Sequence, residues 1–231
     1  LNYPLVTIDR HYLGSSVYAT LRNMLICGGF TPDEPLRIRQ LAAQLGTSVT
    51  PVRDAILQLA KEQALVLRTA RDIRVPALDR SQYQELHLLR MELFGLAAGE
   101  AAKHGDSSYQ QQLDATLQQI CQAQSQQDLS RFLHHHHLFY LQLAEVSNTP
   151  LLHHFIDSLL MRCGPLLAEA WRGQLHSFSA EHHQVLQQTL ARQDSEGARQ
   201  AARQCVFSEN QRIINYLHTQ QQATPALHSA S

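Results

Sequence analysis

The chain has 231 residues, 44% of them hydrophobic and 17% charged, with a formal net charge of −1. That profile excludes a disordered or strongly basic polypeptide, and the length allows one large domain or two small ones. Its apolar stretches are broken by polar residues well short of a membrane span, and Leu1–Ser16 lacks the basic start and apolar centre of a signal peptide. Cys27, Cys121, Cys163 and Cys205 stand singly and far apart, which predicts reduced thiols in a cytoplasmic protein with no membrane partner. Charge is unevenly distributed. Residues 1–77 hold nine Lys and Arg against six Asp and Glu, and the remainder holds ten against fourteen. A basic module on an acidic one fits a nucleic-acid-binding head on a body that does not touch phosphate.

In chain order, the first 15 residues have no period and read as a loose arm. Val17, Leu21, Met24 and Leu25 then recur at helical spacing until Gly28-Gly29, and Thr31-Pro32-Asp33-Glu34-Pro35 is a turn-rich connector. A short helix over Ile38 to Leu45 ends at Gly46, where a left-handed residue is expected. The next helix starts near Thr47-Ser48, either of which has a hydroxyl suited to capping. Pro51 lies in its first turn and Val52, Ala55, Ile56 and Leu59 on its inner face. Ala64–Arg68 and Ile73–Pro76 are β-prone runs of a hairpin about Thr69-Ala70-Arg71-Asp72.

From Leu78 onward the helical period persists through about six segments, near 80–104, 107–126, 128–146, 149–172, 176–192 and 195–221, before a frayed tail over Ala223–Ser231. The expected architecture is therefore mainly α, with a winged helix-turn-helix over 1–77 before an antiparallel all-α bundle over 78–222.

Two short helices, a tight turn and a hairpin present the N-terminal end of the second helix to the major groove, with phosphate contacts setting the register. Thr47, Ser48, Thr50 and Arg53 sit at that end, Arg53 with a fork that fits a guanine edge or a phosphate. Arg39 on the preceding helix and Arg71 at the hairpin tip complete the candidate DNA contacts. The run Leu41-Ala42-Ala43-Gln44-Leu45-Gly46-Thr47-Ser48-Val49-Thr50-Pro51-Val52-Arg53-Asp54-Ala55-Ile56 resembles the GntR-family signature LA-x-x-LG-V-S-R-T-P-V-R-E-A-L. Leu88-Leu89-Arg90-Met91-Glu92-Leu93 resembles the start of the helical FCD effector domain of its FadR-like branch. Two positions depart from the pattern. Val49 stands where the family has Arg, which removes a common contact. Asp72 stands where the wing has Gly, which places a negative charge near DNA.

His134-His135-His136-His137 cover more than one helical turn, so only one or two can face inward. Resemblance to FCD domains implies a metal held by an Asp and a His four apart, then by two later His residues 22 apart. Counted from Ser147-Asn148, taken as the family's S-G-N, these places fall on His135, Phe139, His183 and Cys205. His135, His183 and Cys205 are then the candidate ligands of a divalent metal such as zinc, and with Arg90 and Phe139 the candidate effector contacts. A metal-free polar pocket, or histidines with no ligand role, are the other readings. Arg90, between Leu89 and Leu93 of an apolar stripe, is expected inside the bundle. It would meet there either a carboxylate ligand or Glu92, Glu145 or Glu169. Met161, Phe155, Trp171 and Phe178 are expected in the core.

The expected function is a homodimeric, ligand-responsive repressor or other regulator on a palindromic double-stranded operator, with a small carboxylate as effector. The alternatives are a helical interaction module with weakened DNA binding and a metal-dependent enzyme.

Overall fold

The computed structural model describes residues 13–69 and 71–223, with side chains from 16 to 220. The expected tail past Ala223 and the expected arm up to residue 12 lie outside the described residues; from Leu13 the chain is already helical.

Helix α1 (Leu13–Ile26) buries Val17, Leu21, Met24 and Leu25. Helix α2 (Ile38–Gln44) buries Leu41 and Ala42. Gly46 follows with φ +62, a conformation that costs glycine little and lets Thr47 N reach Ala42 O at 3.0 Å. Helix α3 (Val49–Lys61) then packs Val52, Ala55, Ile56 and Leu59 inward. The hairpin pairs β1 (Val66–Thr69) with β2 (Asp72–Arg74), antiparallel, and Pro35 bridges to Arg74 at its edge. The first strand starts later than expected because Ala64 and Leu65 are buried under the helices.

The body begins at α4 (Arg80–His104), whose N-cap Asp79 forms a reciprocal capping box with Gln82. Asp106 caps α5 (Ser107–Ser125) and Asp128 caps α6 (Leu129–Val146), each accepting from a backbone amide three residues on. Helix α7 (Pro150–Trp171) starts on proline, whose missing N–H costs nothing in a first turn. A single 3₁₀ turn over Leu175–Ser177 precedes α8 (Glu181–Ala191), so this helix begins later than its apolar period suggested. Extended Phe178 intervenes and accepts from Gln124 Nε2 at 2.9 Å. Helix α9 (Ser195–Ala223) lies along α4.

Buried apolar side chains form two clusters, one under the helix-turn-helix and one within the bundle. Met161, expected in the bundle, belongs to the first cluster although it lies on α7. The two halves touch where α7 passes α1. Gly164 permits this: a Cβ there would stand 2.5 Å from Leu25 O. Phe155, also expected in the core, is 55% exposed.

Candidate functional site

The exposed end of α3 carries Ser48, Thr50 and Arg53, with Thr47 half-buried in the turn before it. Neither hydroxyl caps the helix as expected; Ser48 is the N-cap residue and makes no side-chain cap bond. The N-terminal end of α3, uncapped by Ser48, carries the positive end of the helix dipole, which suits a phosphate. Arg39 and Arg53 are exposed and make no ion pair among the described residues, whereas Arg68 and Arg74 are tied to Asp33 at 3.1 and 3.0 Å. Arg71 is exposed at the hairpin tip, where Thr69 Oγ1 accepts from the amides of Arg71 and Asp72. The carboxylate of Asp72 accepts from Arg74 Nε at 2.9 Å, so its charge is matched within the wing rather than turned unpaired toward DNA. Val49 is exposed at the start of α3, where the signature has arginine.

The second cluster of polar residues lies inside the bundle. Arg90 on α4 is fully buried, with its guanidinium 5.5 Å from the centre of the Phe94 ring. Its burial follows from Leu86, Phe94 and Ala97 on the same helical face; Leu89, expected beside it in the apolar stripe, is 50% exposed. The partner of Arg90 is Glu209 of α9, at 3.0 Å, and none of the three glutamates expected. Glu92 instead pairs with Arg203, Glu169 with Arg172, and Glu145 is exposed. Glu209 also bonds His136 Nε2 of α6 at 2.6 Å. Burial alone would raise the Glu209 carboxyl. His136 and Arg90 outweigh it and hold the group at about 2, so Glu209 is an anion.

His183 of α8 is buried beside them, its ring centre 6.0 Å from that of His136 and 5.2 Å from that of Phe139. Burial first, then the neighbouring His136, push its pKa down to about 3, so it is neutral. Cys205 lies next to Tyr140, its thiol pushed far above the usual range by burial and Glu209. Several buried polar atoms have no protein partner: Arg90 Nε and Nη1, the Tyr83 hydroxyl, and both ring nitrogens of His183. A cavity of about 150 Å³ reaches this cluster, lined in part by Trp171, Phe178, His183, Glu209 and Arg212. The Arg212 guanidinium lies 4.2 Å over the Trp171 ring and also borders a neighbouring surface cleft of about 460 Å³.

The structure brings together Arg90, Phe139, His183 and Cys205 of the expected effector contacts but not His135. That side chain is half-buried against His134, while His136 and His137 are the two that turn inward. The error is one residue of register. Asn148 has φ +51, the left-handed conformation that a glycine favours, so it matches the glycine of S-G-N and not its asparagine. The count then moves on by one, and the paired positions fall on His136 and Tyr140. These residues do not fit a divalent ion. His136 is bound to Glu209, the position paired with it holds the phenol of Tyr140, and the Arg90 cation lies close by. Among the described residues no three His, Cys, Asp or Glu side chains are placed to share a metal, so the set His135, His183 and Cys205 is not assembled. Glu209 was missed from the sequence. Its only signal is an acidic residue in the buried stripe Ala202, Cys205, Val206, Ile213.

A winged head with an uncapped reading helix, set on an all-α bundle around a buried polar cluster, defines a DNA-binding transcription regulator with an effector-binding domain. Comparison with known proteins identifies which. Residues 13–75 match the family "Bacterial regulatory proteins, gntR family" and residues 85–207 match the FCD domain. The chain therefore belongs to the GntR family of transcription regulators, in the branch that carries an FCD domain. It is 31% identical over 203 residues to the HTH-type transcriptional regulator McbR of Escherichia coli, covering 87% of this chain and 90% of McbR. The E. coli McbR/YncC structure superposes with a TM-score of 0.76 at 29% identity, over 90% of this chain and 98% of that one. The HTH-type transcriptional repressor GlaR of E. coli is 26% identical over 93 residues, covering 40% of this chain and 42% of GlaR. A GntR regulator from Rhodococcus shares the fold at a TM-score of 0.73 and 19% identity, over 87% of this chain and 97% of that one.

Proposed function

We propose that the chain acts in the cytoplasm as a homodimer, without catalytic activity, on a palindromic operator, with a small carboxylate in the bundle setting its affinity for DNA. Arg53 reads a base, Thr47, Ser48 and Thr50 contact the operator around it, and Arg39 and Arg71 hold the phosphate backbone. The observation that carries the effector reading is the set of unpartnered buried donors about Arg90. Buried polar groups in folded proteins are nearly always satisfied, and a carboxylate supplies two acceptor oxygens to the rest of the Arg90 fork. Because Glu209 is already an anion there, a ligand carboxylate would enter with a proton or displace Glu209 from Arg90. Dimerisation is supported by exposed apolar side chains: Leu88, Leu89 and Leu96 on one side of α4, and Phe207 on α9, which packs along α4.

The test has two parts. Selection of duplexes from a random pool should return a two-fold symmetric site, and the absence of any enriched sequence would end the regulator reading. A panel of two- to six-carbon mono- and dicarboxylates, followed by thermal unfolding, should contain at least one that raises Tm in the native chain and not in Arg90→Gln. No shift across the panel counts against a carboxylate. For the dimer, Leu88→Glu with Phe207→Glu should halve the mass seen in sedimentation.

A further inference from the structure

The head and the bundle are joined by a charged contact as well as by packing. Arg22, on α1, is ion-paired with Asp157 of α7. Its Nη2 also lies 3.5 Å from Nε2 of His137, on α6. His137 Nε2 is 3.1 Å from Asp157 Oδ1. His137 is buried, and the Arg22 and Asp157 side chains are only 25% and 24% exposed. Burial holds the His137 pKa below its usual value against the pull of Asp157, so the ring is neutral. Asp157, opposed by its own burial but held by His137 and Arg22, stays below the usual carboxylate range. Asp157 thus accepts from both partners, and one carboxylate ties α1 to α6 and α7.

The residue before His137 in the chain is His136, bonded to Glu209 in the effector cluster. Successive helical residues point about 100° apart, so one turn of α6 meets Glu209, which lines the cavity, with one imidazole and the DNA-binding head with the next. On the head side, α1 packs along α3, and Tyr18 of α1 donates to Glu62 at the end of α3 at 2.7 Å.

We propose that this turn of α6 couples the two halves: a change at Glu209 and His136 is passed through His137 to the Asp157–Arg22 pair, and so to α1 and the reading helix. The proposal rests on the bundle cavity being the effector site. His137, Asp157 and Arg22 are positioning residues; none lines the cavity. Glu209 and Arg22 share no partner, so the effects of changing them should simply add, within about a factor of two, unless α6 links them.

The test is a double-mutant cycle on the full chain with the selected duplex and no ligand. Glu209→Gln alters the effector cluster. His183→Gln does so without leaving an unpaired buried charge, and it decides the matter if the first variant does not fold. Each should change the operator Kd by about fivefold or more in the otherwise native chain, the low end of ordinary allosteric coupling, and by less than about twofold in an Arg22→Gln chain. Amide exchange across residues 13–26 of the free chain should show the same pattern: altered by the cluster variants when Arg22 is present, unaltered when it is not. An equal fold-change in both backgrounds overturns the coupling, as does no change in the native chain. If the native chain selects no duplex, the regulator reading fails. Amide exchange then decides the coupling alone, and equal changes in both backgrounds overturn it.

Discussion

Arg90 and Glu209 meet at 3.0 Å with their side chains 0% and 4% exposed, an ion pair formed between helices at opposite ends of the bundle sequence. Removing one member takes from the other its main counter-charge, Glu209 keeping only His136, which costs about 3–5 kcal/mol. Arg90→Gln and Glu209→Gln should each show that loss in urea unfolding at neutral pH. The double variant Arg90→Met with Glu209→Leu should recover most of it, because an apolar pair of similar volume has no charge to desolvate. If both single variants unfold like the native chain, the pair is not withdrawn from water.

The reading face makes a second prediction. Arg53→Ala should weaken specific operator binding by about 1–3 kcal/mol and relax the preference at one base position. Arg71→Ala should weaken all sequences alike. Val49→Arg, which supplies the family's arginine at an exposed site, should steepen the dependence of log K on log salt by about 0.9, the increment for one more phosphate contact. Fluorescence anisotropy across a salt series measures all three. An unchanged slope for Val49→Arg would remove that position from the DNA face.

Stability should depend on pH through His183, whose pKa falls from the usual 6.5 to about 3 on folding. Between those values the unfolded chain binds a proton that the folded chain refuses, so this contribution is complete above pH 6.5 and is lost as the pH falls. The slope is up to about 1.4 kcal/mol per pH unit. Other groups lose stability in the same direction, Glu209 among them below its usual 4.5. The measurement is therefore the difference between the native chain and His183→Gln. Between pH 6.5 and 5 the variant should have the flatter profile; identical profiles would mean that His183 is not buried as a neutral ring.

Gly164 allows a test of the contact between the two halves. Inside a helix, glycine to alanine usually stabilises by about 1 kcal/mol. Here the added Cβ would meet Leu25 O at 2.5 Å and Ile26 Cα at 3.0 Å, backbone atoms that cannot yield. Gly164→Ala should instead lower stability and speed amide exchange in α1. A rise in Tm would show that α1 moves aside freely.

Much of this is legible in the sequence. The period of Val52, Ala55, Ile56 and Leu59, with Gly46 before it, located the reading helix because burial of one face is a local, repeating constraint. Asp106 and Asp128 stand at starts the sequence marked, since a cap acts on amides only three residues away. The exposure of Ser48, Thr50 and Arg53 is legible for the same reason: the inner stripe of a short helix leaves the others outside.

The bundle interior was less legible. Arg90 was recognisable as buried, yet its partner lies 119 residues away on α9. Period tells which face is covered but not which side chain covers it, so nearer glutamates were equally plausible. The histidine run shows the same limit at finer scale. A shift of one residue turns a helical side chain by about 100°, and it is His136, not His135, that the packing of α6 turns toward Glu209. Local spacing and a contiguous motif set the helices, the winged head and the family. That Glu209 joins Arg90 to His136, and Asp157 joins His137 to Arg22, follows from how distant helices are turned toward one another, which no local pattern encodes.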